Sequence, residues 1–305
     1  MNVMPTIIPI FCVIAIGWLA RKKGFMPSEF LEPANRLVFY VAIPAMIFSA
    51  VSRASFVSHF HPPVLGITLL AAFCACVCAW LIGLMMKIRR EEFGSFIQSS
   101  FHGNLGYVGL AVAYYYLGEQ GFVQAGIIAG FLMILQNLLA VMVLQIYGGG
   151  KNDAGSFLQV LYKVAGNPII IAAIAGICFS LSGLSMPIIC ERILQIISGM
   201  ALPMALLIIG ASLSFGKMRT KMNLVAATGL IKLVLLPGAG FMMYRLAGTA
   251  PDIYLPGLIL LATPTATVTY VMAKEMNGDA DIAVAAISLN TLASAVTFSI
   301  WLNAG

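Results

Sequence analysis

Apolar runs of a length that only a bilayer requires recur along all 305 residues. A helix needs about 20 such residues to cross the hydrocarbon. The chain offers ten stretches of this kind, near 3–20, 34–51, 63–86, 95–117, 121–147, 160–182, 191–214, 222–246, 253–275 and 280–303. Backbone polar groups in hydrocarbon must pair within their own segment, so each stretch is read as a helix. Charged residues make up 9 % of the chain, against about 25 % in a soluble domain. Little is left over for a soluble domain. The expectation is one all-α polytopic membrane domain.

The charges that remain fix an orientation. Residues 1–20 lack a basic start, and Arg21, Lys22 and Lys23 follow the first apolar run, which places the N-terminus outside. The inner connections then carry Arg21, Lys22, Lys23, Arg36, Lys87, Arg89, Arg90, Lys151, Lys163, Lys217, Arg219, Lys221 and Lys274, whereas the outer loops carry only Arg53, Arg192 and Arg245. That asymmetry runs through all ten spans and follows the positive-inside rule. The net charge of +6 is therefore a topology signal and not a nucleic-acid footprint. With ten spans, both termini lie on the outer face of a bacterial inner membrane.

The two halves repeat at an offset of 159 residues. Pro9 answers to Pro168, Gly17 to Gly176 and Pro44 to Pro203, and Gly103–Gly109 falls opposite Ala262–Val268. Five spans per half, an odd number, force the second half to insert upside down, as in transporters whose substrate sites lie at the repeat interface. The division is 1–147 for the first repeat, 148–159 for a Gly-rich cytoplasmic linker and 160–305 for the second repeat.

Spans four and nine are broken by composition at matching places. Gly103, Gly106 and Gly109 with Asn104 interrupt the fourth; Thr263, Pro264, Thr265, Thr267 and Thr269 interrupt the ninth. Glycine disfavours helix by about 1 kcal/mol relative to alanine, and proline removes a donor and clashes with the preceding turn. Two such breaks crossing at the midplane would present helix N-termini, which favour an anion. The simpler reading is close helix packing at the glycines and an ordinary kink at Pro264. Asn104 can both donate and accept, and His102 can titrate near neutral pH. Gln136, Asn137 and Asn290 are mid-span polar residues that complete a candidate substrate cavity with His102, Gly103, Asn104, Gly106, Thr263, Pro264 and Thr265.

Lys232 is the one Lys or Arg deep in a span. It lies about ten residues from Lys221, roughly 15 Å along a helix, which is long for snorkelling. Intramembrane charge is costly and marks function, so Lys232 is read as a partner for an anion or a stand-in for a coupling cation. No Asp or Glu lies deep in a span. That argues against pure cation exchange, while Na⁺ or H⁺ stays open as a coupling ion. Glu119, Asp279 and Asp281 read as solvated end charges. His59 and His61 read as outer-loop residues, and no metal site or cofactor is expected. Cys12, Cys74, Cys76, Cys78, Cys178 and Cys190 show no zinc-ligand spacing and read as small buried hydrophobes.

Several runs resemble the auxin efflux carrier family, which includes plant auxin carriers and bacterial permeases for malonate and malate. They are Arg36-Leu37-Val38-Phe39-Tyr40-Val41-Ala42-Ile43-Pro44, Gly103-Asn104-Leu105-Gly106-Tyr107-Val108-Gly109, Asn167-Pro168-Ile169-Ile170, Ala201-Leu202-Pro203-Met204-Ala205-Leu206, Lys232-Leu233-Val234-Leu235-Leu236-Pro237 and Ala262-Thr263-Pro264. The resemblance implies ten transmembrane helices in a 5+5 inverted repeat with crossover helices 4 and 9, an architecture like that of bile-acid/sodium symporters and NhaA. It implies a scaffold of 3–51 and 160–214, a transport domain of 63–147 and 222–303, and a homodimer through the scaffold. It also implies organic-anion transport, with Asn104 and the backbone at Gly106 and Thr265 touching substrate. The chain departs from the family at Ala111, where a proline is frequent, and at His102, where an arginine is frequent.

The sequence thus reads as a secondary carrier of a small mono- or dicarboxylate working by alternating access. A passive anion channel and a carrier of an auxin-like aromatic acid are the alternatives. An intramembrane enzyme would need a nucleophile–base pair or metal cluster, and His102 has neither a second intramembrane His nor a buried acid beside it.

Overall fold

The computed structural model describes residues 3–53, 60–148, 166–214, 216 and 221–305. Most of the Gly-rich linker at 148–159, together with His59, Lys151, Lys163, Lys217 and Arg219, lies outside the described residues. The helices are α1 (Met4–Lys22), α2 (Ser28–Arg53), α3 (Pro62–Met85), α4 (Arg90–Phe101), α5 (Leu105–Tyr147), α6 (Pro168–Leu181), α7 (Ile188–Ser212), α8 (Met222–Leu246), α9 (Pro251–Leu261), α10 (Val268–Glu275) and α11 (Ala280–Ala304). Seven of these are long and apolar enough to cross a membrane, and α6 and α9 are shorter apolar helices. The chain is an all-α, multi-spanning membrane protein.

The spans expected at 95–117 and 121–147 are organised differently from two plain helices. The stretch opens with the separate helix α4. It continues in the 43-residue run α5, which breaks at Gly118, where φ is 72° and ψ −165°. That backbone conformation is open to glycine and disfavoured for other L-residues, so Gly118 ends one span and begins the next.

Three helices carry a widened π turn, at Val38–Ala42, Leu105–Gly109 and Ile231–Leu235. The first and third stand just before Pro44 and Pro237. A proline cannot donate to the carbonyl four residues back and its ring crowds that carbonyl, so the ladder widens by one residue ahead of it. Pro237 thereby sets the local geometry of Lys232.

The chain divides into two compact units. The first comprises Met1–His61, Gly106–Gly130 and Tyr162–Ser212. In it α1 packs along the Ala201–Ser212 half of α7, and α6 packs along the Ile43–Arg53 half of α2. A Cβ on Gly17 would overlap the Leu207 carbonyl, and one on Gly176 would lie 2.9 Å from the Val51 Cβ. These two residues of the 159-residue offset each sit where one helix touches another, the close approach that small residues permit in membranes.

The second unit comprises Pro62–Leu105, Phe131–Leu161 and Leu213–Gly305. Here α3 packs on α4, α9 and the end of α8, while α11 packs on α4, α10 and the start of α8. Phe96, Ile97, Phe101, Leu258 and Phe298 are buried between them. Tyr244 and Tyr254 stack at 5.2 Å, and Tyr244 shares a 2.5 Å hydrogen bond with Thr68. Outward-facing large apolar side chains on every long helix meet lipid. The cysteines belong partly to that surface. Cys12, Cys178 and Cys190 are exposed and Cys74, Cys76 and Cys78 half-exposed, all as free thiols. Their reading as buried residues is corrected, since a thiol is apolar enough to face acyl chains.

An ion cluster closes one end of this unit. Glu92 accepts from Arg89 at 2.7 Å and pairs with Lys221 at 2.8 Å. Lys221 also binds Asp279, which caps α11 by accepting from the Ile282 N–H at 2.9 Å. Asp279 is therefore a paired capping residue and not a solvated end charge; Glu119 and Asp281 are exposed. The Arg89 hydrogen bond, and then that of Lys221, hold Glu92 below its ordinary value of 4.5 against the effect of burial. Burial opposes the charge on Lys221, but hydrogen bonds to Asp279 and Glu92 outweigh it and raise its pKa above the ordinary 10.5. Glu92 thus contributes stability in full above the ordinary glutamate value and loses it as pH falls through the lowered one. Lys221 contributes in full below the ordinary lysine value and loses it as pH rises through the raised one. The melting temperature in detergent is expected to drop below about pH 4. Glu92→Gln should lower it at pH 7 and flatten the acid limb; an unchanged acid limb would remove Glu92 from this role.

Candidate functional site

Two interruptions meet inside the second unit. α4 stops at Phe101, and 102–104 are extended before α5 begins at Leu105. α9 stops at Leu261, and the chain stays non-helical until α10 begins at Val268. The breaks pair with each other as a short antiparallel ladder. The Asn104 N–H donates to the Pro264 carbonyl at 2.8 Å, the Ala266 N–H donates to the His102 carbonyl at 2.9 Å, and Gly103 stands opposite Thr265. Backbone released from a helix at this depth must find other partners, and each break supplies them to the other. Gly103 is required by space. A Cβ there would overlap Thr263 Oγ1 and lie 3.3 Å from both Cε and Nζ of Lys232.

Side chains brace the crossing. Gln136 accepts from the Gly103 N–H and donates to the Phe101 carbonyl, both at 3.2 Å. Asn290 donates to Thr265 Oγ1 at 2.7 Å, and Thr265 donates to the Ser99 carbonyl at 2.8 Å. Thr263 and Thr269 turn back on their own chain, to the carbonyls of Leu260 and Ala266.

Lys232 is fully buried, and its Nζ donates to the Leu261 carbonyl at 2.8 Å. That carbonyl is the last of α9, where the partial negative end of a helix favours a cation. A buried ammonium whose one acceptor among the described residues is a carbonyl keeps most of its charge uncompensated.

The structure therefore brings together Gly103, Asn104, Thr263, Pro264, Thr265, Gln136, Asn290 and Lys232. His102 joins through its backbone, and its ring stacks on Phe101 at 6.1 Å. Gly106 lies one residue beyond, in the π turn that opens α5. Asn137 is the exception: it is half-buried, and its amide donates to the Met133 carbonyl of its own helix at 2.8 Å. One residue on from Gln136 is a rotation of about 100°, which turns Asn137 off the crossing. Sequence reasoning missed the carbonyls of Ser99 and Leu261, because backbone acceptors carry no side-chain signature. His61 is half-buried, and no group of three metal-ligating side chains occurs among the described residues.

These features define a polytopic helical protein with a polar centre made by two broken helices and a buried cation. The chain belongs to the family described as membrane transport protein, which it matches over residues 2–154 and 155–302; this is the transporter family its motifs resemble. It is similar to a putative malonate transporter of Rhizobium meliloti (strain 1021), 27 % identical over 299 residues that cover 95 % of this chain and 92 % of that protein. It is similar to an uncharacterized transporter of Methanocaldococcus jannaschii, 24 % identical over 98 % of this chain and 97 % of that one. An uncharacterized transporter of Escherichia coli (strain K12) is 21 % identical over 97 % of this chain and 95 % of its own length. The protein is a membrane transport protein and not an enzyme.

Proposed function

We propose that the protein is a secondary carrier of a small carboxylate, with the paired breaks as its binding site. The observation that carries this reading is the Lys232 ammonium, buried at the crossing, where among the described residues the Leu261 carbonyl is its one acceptor. α5 and α10 both begin at the crossing, and helix N-termini add N–H donors and positive dipole ends there. A carboxylate would supply the missing negative charge, and Asn104 would orient it. The substrate named for the Rhizobium relative, malonate, fits this chemistry.

The remaining parts of the reading go with this one. Ten transmembrane helices form a 5+5 inverted repeat, and the site opens alternately to either side of a bacterial inner membrane, with both termini outside. What supports the repeat is the offset: 159 residues added to Ser28–Arg53 give 187–212, and α7 spans Ile188–Ser212. The scaffold helices α1, α2, α6 and α7 would hold a homodimer.

The test is thermal stabilisation of the purified protein by malonate, malate and an indole acid, with and without Na⁺. A ligand at 100 times its Kd stabilises by about 2.7 kcal/mol. Malonate or malate is expected to raise the melting temperature, and Asn104→Ala to abolish the shift. Stabilisation by neutral solutes or cations alone would sink the anion reading.

A further inference from the structure

One face of α4 holds polar groups that the crossing does not use. Ser95, Gln98, Ser99 and His102 stand at the i, i+3, i+4 and i+7 spacing that puts residues on one side of a helix. The first three are fully buried and His102 is 4 % exposed. Each has a buried polar atom with no partner among the described residues: Ser95 Oγ, Gln98 Oε1, Ser99 Oγ and His102 Nδ1. Folded proteins leave few such atoms, and those that occur are met by ordered water. Cβ atoms four residues apart on a helix are about 5–6 Å apart. Two hydrogen bonds of about 2.8 Å in series cover the same distance, so a single bridging water matches the spacing of Ser95 to Ser99 and of Ser99 to His102.

The row has two ends. Ser95 Oγ lies against Gly278, 2.7 Å from where a Cβ would stand, in the half-exposed turn beside Asp279, Lys221 and Glu92. His102 is bonded to Gly103, and Gly103 lies against Lys232. On α11, which packs on α4, Thr291 Oγ1 and Asn290 Oδ1 are also buried without a partner among the described residues, Asn290 Oδ1 against Gly229 of α8.

We propose that this face of α4 is a single file of water that carries protons between the inner end of the helix and His102, making H⁺ the coupling ion. The proposal rests on the carboxylate-carrier reading. A proton enters at the water beside Ser95. Each hydroxyl and water takes one proton and passes one on, and the file ends with an N–H bond formed at His102 Nδ1. The charged and titratable groups on the elements packed against α4 decide when that proton is held. α8 brings Lys232, with Tyr244 and Arg245 toward its other end. α10 brings Tyr270, Lys274 and Glu275, α11 brings Asp281, α5 brings Tyr147 against Phe93, and α3 brings Cys74, Cys76 and Cys78. Lys232, which lies against the adjoining Gly103, would be a like charge. An imidazolium beside an ammonium is unfavourable until an anion sits at the crossing, so anion and proton bind together and each raises the affinity of the other.

The test uses the full chain with malonate as the probe. Calorimetry in buffers of differing ionisation heat should report uptake of about one proton per malonate bound, and none in His102→Gln. In liposomes with an internal pH dye, Ser95→Val should slow malonate-driven proton movement by about tenfold or more with malonate affinity unchanged. Ser95→Ala should not, because alanine leaves room for a water and valine fills it. Equal effects of Ala and Val, or malonate binding without proton uptake in the wild type, would overturn the file. If no carboxylate binds, the carrier reading fails separately. The file is then decided by a map that resolves ordered water: waters between Ser95, Ser99 and His102 support it, and a dry face or a bound Na⁺ overturns it.

Discussion

Lys232→Met is expected to abolish malonate binding while leaving the protein folded, and to make the ligand-free protein no less stable. Methionine keeps the length and flexibility of the lysine stem and removes only the charge. Truncating one side of a buried charge pair costs about 2–5 kcal/mol in binding, or on the order of 100-fold in affinity. Without ligand the balance reverses. Among the described residues the ammonium's one acceptor is the Leu261 carbonyl, and replacing an uncompensated buried ion with an apolar side chain is often neutral or stabilising. Lys232→Arg should not rescue binding, because the site is fully closed around a compact ammonium and the guanidinium is larger and planar. The measurement is malonate affinity and melting temperature side by side. Wild-type affinity in Lys232→Met would remove the cation from the site.

Gly103→Val is expected to be the most damaging change in the crossing. Its side chain would occupy the place of Thr263 Oγ1, which is held to the Leu260 carbonyl at 2.7 Å, and would press on Lys232. Overpacking of this kind costs about 1–3 kcal/mol, and here it also spreads the ladder that shapes the site. Gly103→Ala should show a smaller loss of melting temperature and a clear loss of transport. The close approach predicts a specific rescue: Thr263→Ala should restore much of what Gly103→Ala removes. The two changes should then be strongly non-additive in a double-mutant cycle. Simple additivity would mean that Gly103 is needed for some reason other than space.

The legible parts of this molecule were those that break a rule of local composition. Three glycines and an asparagine inside an apolar run, Thr-Pro-Thr inside another, and a lone lysine in a third each violate what a plain membrane helix contains. All of them lie at or next to the crossing. The 43-residue run of α5 divides between the spans expected at 95–117 and 121–147, and the backbone reason for the division is the positive φ of Gly118. Less legible were groups that obey the local rules. Ser95, Gln98 and Ser99 are ordinary in a helix near a membrane surface, and only their burial without partners sets them apart. Asn137 looked equivalent to Gln136 because adjacent letters carry no angle. Glu92 and Asp279 sit where surface charges are expected, and their pairing through Lys221 joins residues too far apart in sequence for any window to connect. The pairing of one break with the other is invisible for the same reason.

That pairing dictates the order in which the protein can be made. The partner of Gly103 is Thr265, which leaves the ribosome only after most of the later helices have been synthesised. Until then, the chain around residue 103 holds backbone donors and acceptors in the bilayer with no mate, an arrangement hydrocarbon tolerates poorly. The first break must therefore wait in a provisional state, either helical or sheltered by other protein, and rearrange when the second arrives. A nascent chain stalled before residue 265 would keep that unpaired polar backbone in its membrane interior.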